Sequence, residues 1–354
     1  MHLSSLFKDK AYAFAQAGNP EDDCNFARKL LGKTHPDLNI KNLFLWQVGD
    51  NYDSFLVTDC DQQSFKLKIS LSDIEGVLKK ESVVLRRSAC CSLPVFVGYG
   101  TTKIGDEVAY LLTQIPNGES VRSEGRSSLM SNLDLFLEGY WTFVKSPNVK
   151  PTYKKIINHF TKNLIPENTL PKESCDALRN YSDYDLCKQF LGDLGSDITN
   201  RFKDLQKDLN QKCHGGLSLD SIFYYGKGFY FEDLHNVCMG HPYIDFCDLL
   251  IELGGSKEND ISLWRRFCGS GLIPEDRELY EKIYQMCIRK KLADLLISYI
   301  KEIYVYGSFR YENIFYIADS FSHAYVRFST IESFKKNKDF IMKTICEPIF
   351  GVKA

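Results

Sequence analysis

The residue types best suited to chemistry are concentrated in residues 213–250. This stretch begins with the loop His214-Gly215-Gly216 and contains a pair of adjacent acids, Glu232-Asp233. Further on, Gly240-His241-Pro242 interrupts the chain, and Asp245 opens a predicted apolar helix. Carboxylate oxygens are the ligands that a hard cation such as Mg²⁺ prefers. The carboxylate of Asp233 can therefore bind Mg²⁺.

Two short apolar runs between the loop and the acids predict a β-hairpin. The runs are residues 222–225 and 229–231, and Gly226-Lys227-Gly228 separates them. The two glycines accept the positive φ that tight hairpin turns need. The hairpin would place Glu232-Asp233 at the end of its second strand.

The order of loop, hairpin, acid, turn and helix resembles the catalytic segment of the aminoglycoside phosphotransferase and choline kinase superfamily. That family reads His-Gly-Asp-x-x-x-x-Asn, then a hairpin, an Ile-Asp pair and Gly-x-Pro-x-x-Asp. His214-Gly215 matches the first part, and Gly240-x-Pro242-x-x-Asp245 matches the last. A register without gaps puts the family's metal-binding aspartate at Asp233, whereas a longer loop would put it at Tyr230. The gapless register is preferred because residues 236–237 then carry the polar and small apolar types that the family often has there.

Two positions depart from the family pattern. The catalytic-loop aspartate falls on Gly216, and the metal-binding asparagine falls on Ser221. Ser221 offers a shorter and weaker ligand, and Gly216 offers no side chain. Loss of an orienting acid typically removes a factor of roughly 10²–10⁴ in rate. Asp220 is either a substitute metal ligand or a turn residue, and the resemblance gives His214 the structural role of bracing the loop.

The N-terminal part of the chain predicts a small antiparallel sheet. Three short runs cover residues 43–46, 55–57 and 64–69, with turn clusters between them. In the third run, apolar residues alternate with Lys66 and Lys68, which predicts a strand with one apolar and one polar face. Residues 93–100 and 108–114 predict two more strands.

The kinase resemblance gives this sheet a nucleotide-binding role. It implies a phosphate-covering loop over residues 49–54, in which Gly49 and Asn51 would approach the phosphates, and it makes Lys68 the phosphate-binding lysine. Glu81, on a helix predicted over residues 74–87, has the position of the glutamate that pairs with this lysine. Glu75 is the alternative partner.

The resemblance also implies a nucleotide-binding hinge after the last strand. Gln114 and Ile115 match it most closely, because the family binds the adenine edge there through backbone groups. A strand that runs into a Pro/Gly turn fits the same residues equally well. A polar, Gly-, Ser- and Arg-rich stretch follows the hinge.

The whole pattern predicts an α+β, bilobal protein kinase-like fold. Residues 1–116 would form a lobe with a helical lead-in and an antiparallel sheet, residues 117–128 a linker, and residues 129–354 a mainly helical lobe. The stripe of apolar residues between 133 and 144 recurs at helical spacing, and a helix predicted over residues 184–212 leads into His214.

Charge, cysteine spacing and hydropathy argue against nucleic-acid-binding, disulfide-rich and membrane-spanning proteins. The 354 residues carry a net charge of −2, which gives no field that would gather nucleic acid or an anionic membrane. The 12 cysteines form no Cys-x-x-Cys pair, so we expect reduced thiols and a cytoplasmic protein. No segment has the roughly 18 consecutive apolar residues of a membrane span.

The resemblance implies two main functions. The first is an ATP- and Mg²⁺-dependent phosphotransferase that acts on a hydroxyl of a small molecule, such as an amino sugar, a choline-like alcohol or a sugar, with activity impaired by Gly216 and Ser221. The second is a nucleotide-binding pseudokinase that serves as a binding or regulatory module, for which the partner would be a protein. A scaffold that binds no nucleotide is the third. Lys68, Glu81 and Asp233 favour nucleotide binding over the scaffold.

Overall fold

The computed structural model describes residues 20–48, 52–70, 76–88, 90–124, 126–149, 151, 184–270, 273–300 and 311–341. These residues form two compact units. The sheet unit contains the described residues up to 151 together with residues 220–236, and the helical unit contains residues 184–219 and the described residues from 237 onward. No helix in the described part of the chain is long and apolar enough to cross a membrane.

The sheet unit is built on five antiparallel strands. They are β1 (Ile40–Val48), β2 (Asp53–Asp59), β3 (Ser64–Ser70), β4 (Val95–Ile104) and β5 (Asp106–Ile115), after a first helix α1 (Pro20–Thr34). Their order in the sheet is β1-β2-β3-β5-β4, so β3 is central. The five predicted strands are confirmed.

The central strand differs from its sequence pattern in one respect. All seven residues of β3 are buried, including Lys66 and Lys68 on the face predicted to be polar. Phe65 and Leu67, on the other face, pack into a core that also contains Leu30 of α1. Both faces of β3 are therefore covered by protein, and its lysines must be paired, because an isolated buried ammonium is strongly unfavourable.

Helix α2 (Val77–Arg87) follows β3. The predicted helix began at residue 74, but residues 71–75 lie outside the described part of the chain, as does Glu75. Gly76 precedes the helix with a φ of 63°, a left-handed conformation that glycine adopts without steric penalty. Leu78 and Leu85 are buried, as their spacing predicts, and Glu81 is buried with them.

A second, three-stranded sheet completes this unit. It pairs β6 (Glu119–Ser120), β8 (Ile222–Tyr224) and β9 (Phe229–Phe231) in the order β6-β8-β9. The predicted hairpin is confirmed: Gly226 has a φ of 80°, and the Tyr225 N–H donates to the Gly228 carbonyl at 3.2 Å. Short helices α3 (Val121–Glu124) and α4 (Arg126–Ser131) precede α5 (Leu133–Lys145). Phe136 of α5 packs edge-on against Phe229 and Phe231, which fixes the hairpin on the helix.

The helical unit contains seven helices in the described residues. They are α6 (Tyr184–Leu205), α7 (Pro242–Leu253), α8 (Lys257–Gly269), α9 (Arg277–Ile300), α10 (Tyr311–Phe328) and the short α11 (Glu332–Lys336) and α12 (Lys338–Ile341). A two-stranded ladder of β7 (Gln211–Cys213) and β10 (Cys238–Gly240) lies in the same unit. The helix predicted to reach residue 212 ends at Leu205, because residues 211–213 are extended and paired with β10.

The helix predicted to open at Asp245 begins three residues earlier. His241 is its N-cap, and its Nδ1 accepts a hydrogen bond from the Tyr243 N–H at 3.1 Å. Pro242 takes the first helical position, where its missing N–H is not needed. Asp245 is thereby placed in the first turn of α7, where a carboxylate is favoured by the helix dipole.

Candidate functional site

Lys68 lies in the middle of the central strand, paired on one side with Ser54 and on the other with Leu111. Its Nζ donates to Glu81 Oε1 at 3.0 Å, to Glu81 Oε2 at 2.9 Å and to Asp233 Oδ1 at 3.0 Å. The structure therefore brings together the three residues that the resemblance assigned to phosphate and metal binding. The ammonium is almost entirely buried, and two carboxylates compensate its charge.

Backbone geometry after the hairpin aims Asp233 at this lysine. Asp233 follows β9 with a φ of 59°, and a 3₁₀ turn, Leu234–Asn236, follows directly. A non-glycine residue with positive φ is uncommon, and aspartate is one of the residues that tolerate it best. The 3₁₀ turn packs on α2, the helix that carries Glu81. The two acids thus reach Lys68 from different directions.

Tyr52 is the residue that the sequence analysis left without a role. Its hydroxyl donates to Asp233 Oδ1 at 2.5 Å, and its ring lies 4.7 Å from the Lys68 Nζ. Tyr52 belongs to the predicted phosphate-covering loop, and this position in the sequence is the signal that its side chain lies near the phosphate-binding lysine. Gly49 and Asn51, the residues named for that loop, lie outside the described part of the chain.

The electrostatics of this cluster favour the charged forms of Asp233 and Lys68. Burial opposes ionisation of Asp233, but Lys68, His235 and Lys66 outweigh it and hold the pKa of the carboxyl well below its usual range. Burial likewise opposes the charge of Lys68, but Asp233 and Glu81 raise its pKa well above the usual value. Burial and then the Asp233 charge raise the pKa of Tyr52, so its hydroxyl stays protonated and can donate.

The donor set fits Mg²⁺ through Asp233. Mg²⁺ is commonly held by one or two carboxylates together with the phosphates of its substrate, and the Asp233 side chain is 34% exposed, whereas that of Glu81 is 3% exposed. Ligand atoms of Glu81, Asp233 and His235 lie within 4.8 Å of one another. The Lys68 ammonium already bonds to both acids, so a cation among all three ligands would have to displace it.

The other two metal candidates lie elsewhere in the sheet unit. Ser221 is fully buried, and its carbonyl accepts a hydrogen bond from the Glu232 N–H at 2.9 Å. Asp220 forms an ion pair with Arg122, whose Nε lies 2.9 Å from both carboxylate oxygens. This ion pair favours the alternative in which Asp220 fixes a turn.

A cavity of about 490 Å³ lies in the sheet unit. Residues 115–118 line it after β5, and the hairpin aromatic residues Phe223, Tyr225 and Tyr230 line it as well. Ile115, one of the two residues named for the hinge, is therefore part of the cavity wall. The Gln114 side chain donates to Gln63 Oε1 at 2.7 Å near the surface. Tyr230, the alternative to Asp233 as a metal residue, is a cavity residue.

A second buried ion pair, which the sequence analysis did not foresee, lies in the cavity wall. Lys66 of β3 donates to Glu232, and their side chains are 8% and 3% exposed. The Lys66 Nζ also lies 5.1 Å from the centroid of Phe223. The sequence contains a signal for this second pair. Lys66 lies two residues before Lys68 on the same strand face, and Glu232 lies directly before Asp233, so the two lysines are close together in the chain and so are the two acids.

In the helical unit, two acids of α7 hold the loop that follows β7. The Asp245 carboxylate accepts the N–H groups of His214 and Gly215 at 2.6 and 2.8 Å. Two helical turns later, Glu252 accepts the Leu219 N–H at 2.8 Å. The motif aspartate Asp245 is therefore a brace for the loop. Gly216, within this loop, has no side chain to offer to a substrate.

These elements define the class of the protein as a kinase-like α+β fold, with a lysine on the central strand paired to a helix glutamate. The solved structures show the same fold. Choline kinase LicA from Streptococcus pneumoniae has a TM-score of 0.55 at 12% identity, over 83% of this chain and 99% of that one. The GDP and kanamycin complex of APH(2″)-IIia has a TM-score of 0.54 at 13% identity, over 84% and 98%.

A third similar structure is spectinomycin phosphotransferase APH(9)-Ia in complex with ADP and spectinomycin. It has a TM-score of 0.53 at 13% identity, over 84% of this chain and 98% of that one. No family profile and no curated protein matches the sequence. The chain therefore has the bilobal protein kinase-like fold of the aminoglycoside phosphotransferases and choline kinase, and the predicted fold class is confirmed.

Proposed function

We propose that the sheet unit binds a nucleoside triphosphate such as ATP together with Mg²⁺, and that the protein is a phosphotransferase acting on a hydroxyl of a small molecule. The observation that carries this proposal is the convergence of Lys68, Glu81 and Asp233 within hydrogen-bonding distance. Phosphoryl transfer depends mainly on positioned phosphates and compensated charge. This cluster offers an ammonium that can position the phosphates and a carboxylate that can hold a metal ion to compensate their charge.

Each residue of the cluster has a distinct part in nucleotide binding. Lys68 donates to phosphate oxygens. Glu81 holds the Lys68 ammonium in place when Asp233 binds the metal instead of Lys68. Asp233 holds Mg²⁺, which offsets the charge of the phosphates when bound. The base enters the cavity next to Ile115, where backbone groups after β5 are available.

The acceptor is proposed as an amino sugar, a choline-like alcohol or a sugar. Support comes from the similar solved structures, two of which are complexes with kanamycin or spectinomycin, and one of which is a choline kinase. Gly216 supplies no acid to orient the acceptor hydroxyl. We therefore expect turnover to be slow.

A second candidate is a nucleotide-binding pseudokinase that serves as a binding module. Gly216 and Ser221 favour it, because the loop lacks the acid and the amide of the family pattern. The contact between Tyr52 and Asp233 is a further reason, since it engages the carboxylate that Mg²⁺ requires.

Ligand-dependent stability tests nucleotide binding first. We expect ATP with Mg²⁺ to raise the free energy of unfolding, by about 2.7 kcal/mol at 100 times the dissociation constant. Asp233→Asn should lose the part of this increase that depends on Mg²⁺. If neither ATP nor GTP with Mg²⁺ shifts the unfolding of the wild type, both proposed functions are wrong.

Turnover then separates the two functions. Phosphate release and product formation are measured against a panel of amino sugars and alcohols, for the wild type and for Gly216→Asp. A phosphotransferase gives product that the variant increases by about 10²-fold or more. A pseudokinase binds the nucleotide and gives no product in the wild type.

A further inference from the structure

The wall of the cavity contains a polar corner within an aromatic lining. Lys66 and Glu232 form a buried ion pair there, and Tyr230 lies beside them, fully buried. The Tyr230 hydroxyl has no hydrogen-bond partner among the residues that the structure describes. Burial and then the Glu232 charge raise the pKa of Tyr230, which keeps this hydroxyl a donor. Lys66, Glu232 and the Tyr230 hydroxyl can therefore form hydrogen bonds with a ligand in the cavity.

Packing alone does not account for this ion pair. Apolar side chains of similar volume would fill the same space, and replacing a buried ion pair by apolar residues is often neutral or stabilising. A buried pair in the wall of a ligand-sized cavity is better explained by recognition of a polar ligand. The aromatic rings of Phe223 and Tyr230, stacked with centroids 5.0 Å apart, provide a lining that suits a planar heterocycle.

The chemistry of the pair predicts what the heterocycle must present. Lys66 can only donate hydrogen bonds, and the Glu232 carboxylate can only accept them. A guanine edge offers an acceptor, O6, next to two donors, the N1–H and the 2-amino group. An adenine edge offers one acceptor, N1, and one donor, the 6-amino group. Guanine can thus form one more charge-assisted hydrogen bond with this pair than adenine can.

We propose that Lys66 and Glu232 select the base of the nucleotide and favour guanine over adenine. The proposal rests on the proposed nucleotide site and adds the residues that determine base specificity there. Lys66 donates to O6, and Glu232 accepts from the N1–H and the 2-amino group. Hypoxanthine, which has O6 and the N1–H but no 2-amino group, should bind with intermediate affinity.

Calorimetric titration with GDP, IDP and ADP in the presence of Mg²⁺ tests this order. These diphosphates differ only in the base, and they avoid turnover during the measurement. We expect GDP to bind at least about tenfold more tightly than ADP, which corresponds to one hydrogen bond to a charged group, with IDP between them. An equal affinity for the three, or a preference for ADP, would overturn the proposal.

Two variants assign the preference to the pair. Lys66→Met/Glu232→Leu makes the corner apolar, and we expect the three affinities to converge within about twofold, while Lys68 and Asp233 still bind the phosphates and Mg²⁺. Glu232→Gln keeps the size of the side chain but turns one acceptor into a donor, so it should weaken GDP binding most. Unchanged GDP preference in both variants would show that other groups read the base.

The result is distinguishable from failure of the proposed function. If the wild type binds none of the three diphosphates, nucleotide binding itself is wrong. If it binds them and the variants leave their order unchanged, only the role of Lys66 and Glu232 is wrong.

Discussion

The sheet unit contains two lysine–acid pairs of the same chemistry that are arranged differently. Lys66 and Lys68 are two residues apart on β3, and they meet the adjacent acids Glu232 and Asp233. Lys68 has a second carboxylate, Glu81, beside it and the Tyr52 ring over it, whereas Lys66 lies in the wall of a cavity. We call the Lys68 cluster, in which one ammonium bonds to two carboxylates, the closed network, and we call the Lys66–Glu232 pair, which lines the cavity, the open pair. The surroundings of a buried ion pair, more than its composition, therefore determine what it can do.

The largest expected effect distinguishes the closed network from an ordinary ion pair. Lys68→Met would leave Glu81 and Asp233 close together without their cation. Removing one partner of a buried pair costs about 3–5 kcal/mol, so the free energy of unfolding measured with urea should fall by that amount. Lys282→Met removes an exposed lysine paired with Glu278 four residues earlier on α9 and serves as the control, with no measurable change expected. A loss at Lys68 as small as at the control would contradict the closed network.

A rescue experiment tests the open pair. Glu232→Leu alone would leave the Lys66 ammonium buried without its carboxylate, and we expect a loss of about 3 kcal/mol in the free energy of unfolding. The double variant Lys66→Met/Glu232→Leu should return to within about 1 kcal/mol of the wild type, because the unpaired charge is gone. If the double variant is as unstable as the single one, the pair is required for folding, and its proposed role in base selection loses its main support.

The contrast between the pairs also shows what the sequence could and could not predict. Lys68, Glu81 and Asp233 could be found because their spacing along the chain matches a family pattern, and the five strands followed from alternation of apolar and polar residues. The same alternation placed Lys66 and Lys68 together on a polar face but did not predict that both lysines are buried. Alternation separates the two faces of a strand, but it does not reveal that the polar face is covered by other parts of the chain.

Contacts between distant residues account for most of what sequence reasoning missed. Tyr52 reaches Asp233 across 181 positions, and Lys66 reaches Glu232 across 166. No local pattern reports such partners. Element ends were missed for a related reason: the long helix before His214 stops at Leu205 because residues 211–213 pair with β10, which is a tertiary requirement.

The pH dependence of stability separates the ion-pair network from the helical unit. The Asp233 pKa lies below its unfolded value of about 3.9, so this carboxylate stabilises the fold fully above about pH 4 and loses that contribution as the pH falls further. Burial outweighs the attraction of Asp208 and Asp276 and lowers the pKa of His241 to about 4. Between about pH 6.5 and 4, the unfolded chain binds a proton that folded His241 excludes, so the contribution of His241 to stability falls as the pH falls. Asp248 on the same helix acts in the opposite direction, because burial raises the pKa of its carboxyl to about 7.

We expect the wild type to lose about 2–3 kcal/mol of stability relative to His241→Asn between pH 7 and pH 4, measured from urea unfolding of both proteins at several pH values. His241→Asn should flatten the dependence, because asparagine also caps a helix and does not titrate. If the His241 variant keeps the full slope, the titrating group lies elsewhere.

The smallest expected effect tests whether the two pairs act independently. Tyr52→Phe keeps the ring over Lys68 but removes the hydroxyl from Asp233, at a loss of about 1 kcal/mol in the free energy of unfolding. Because that hydroxyl competes with Mg²⁺ for the Asp233 carboxylate, its removal should strengthen Mg²⁺ binding in the presence of GDP by about fivefold, the equivalent of 1 kcal/mol. The ratio of GDP to ADP affinity should stay at the wild-type value, since the variant does not touch Lys66 or Glu232. A change in that ratio would mean that binding of the base and binding of the metal are coupled, and that the Lys66–Glu232 and Lys68–Asp233 pairs do not act independently.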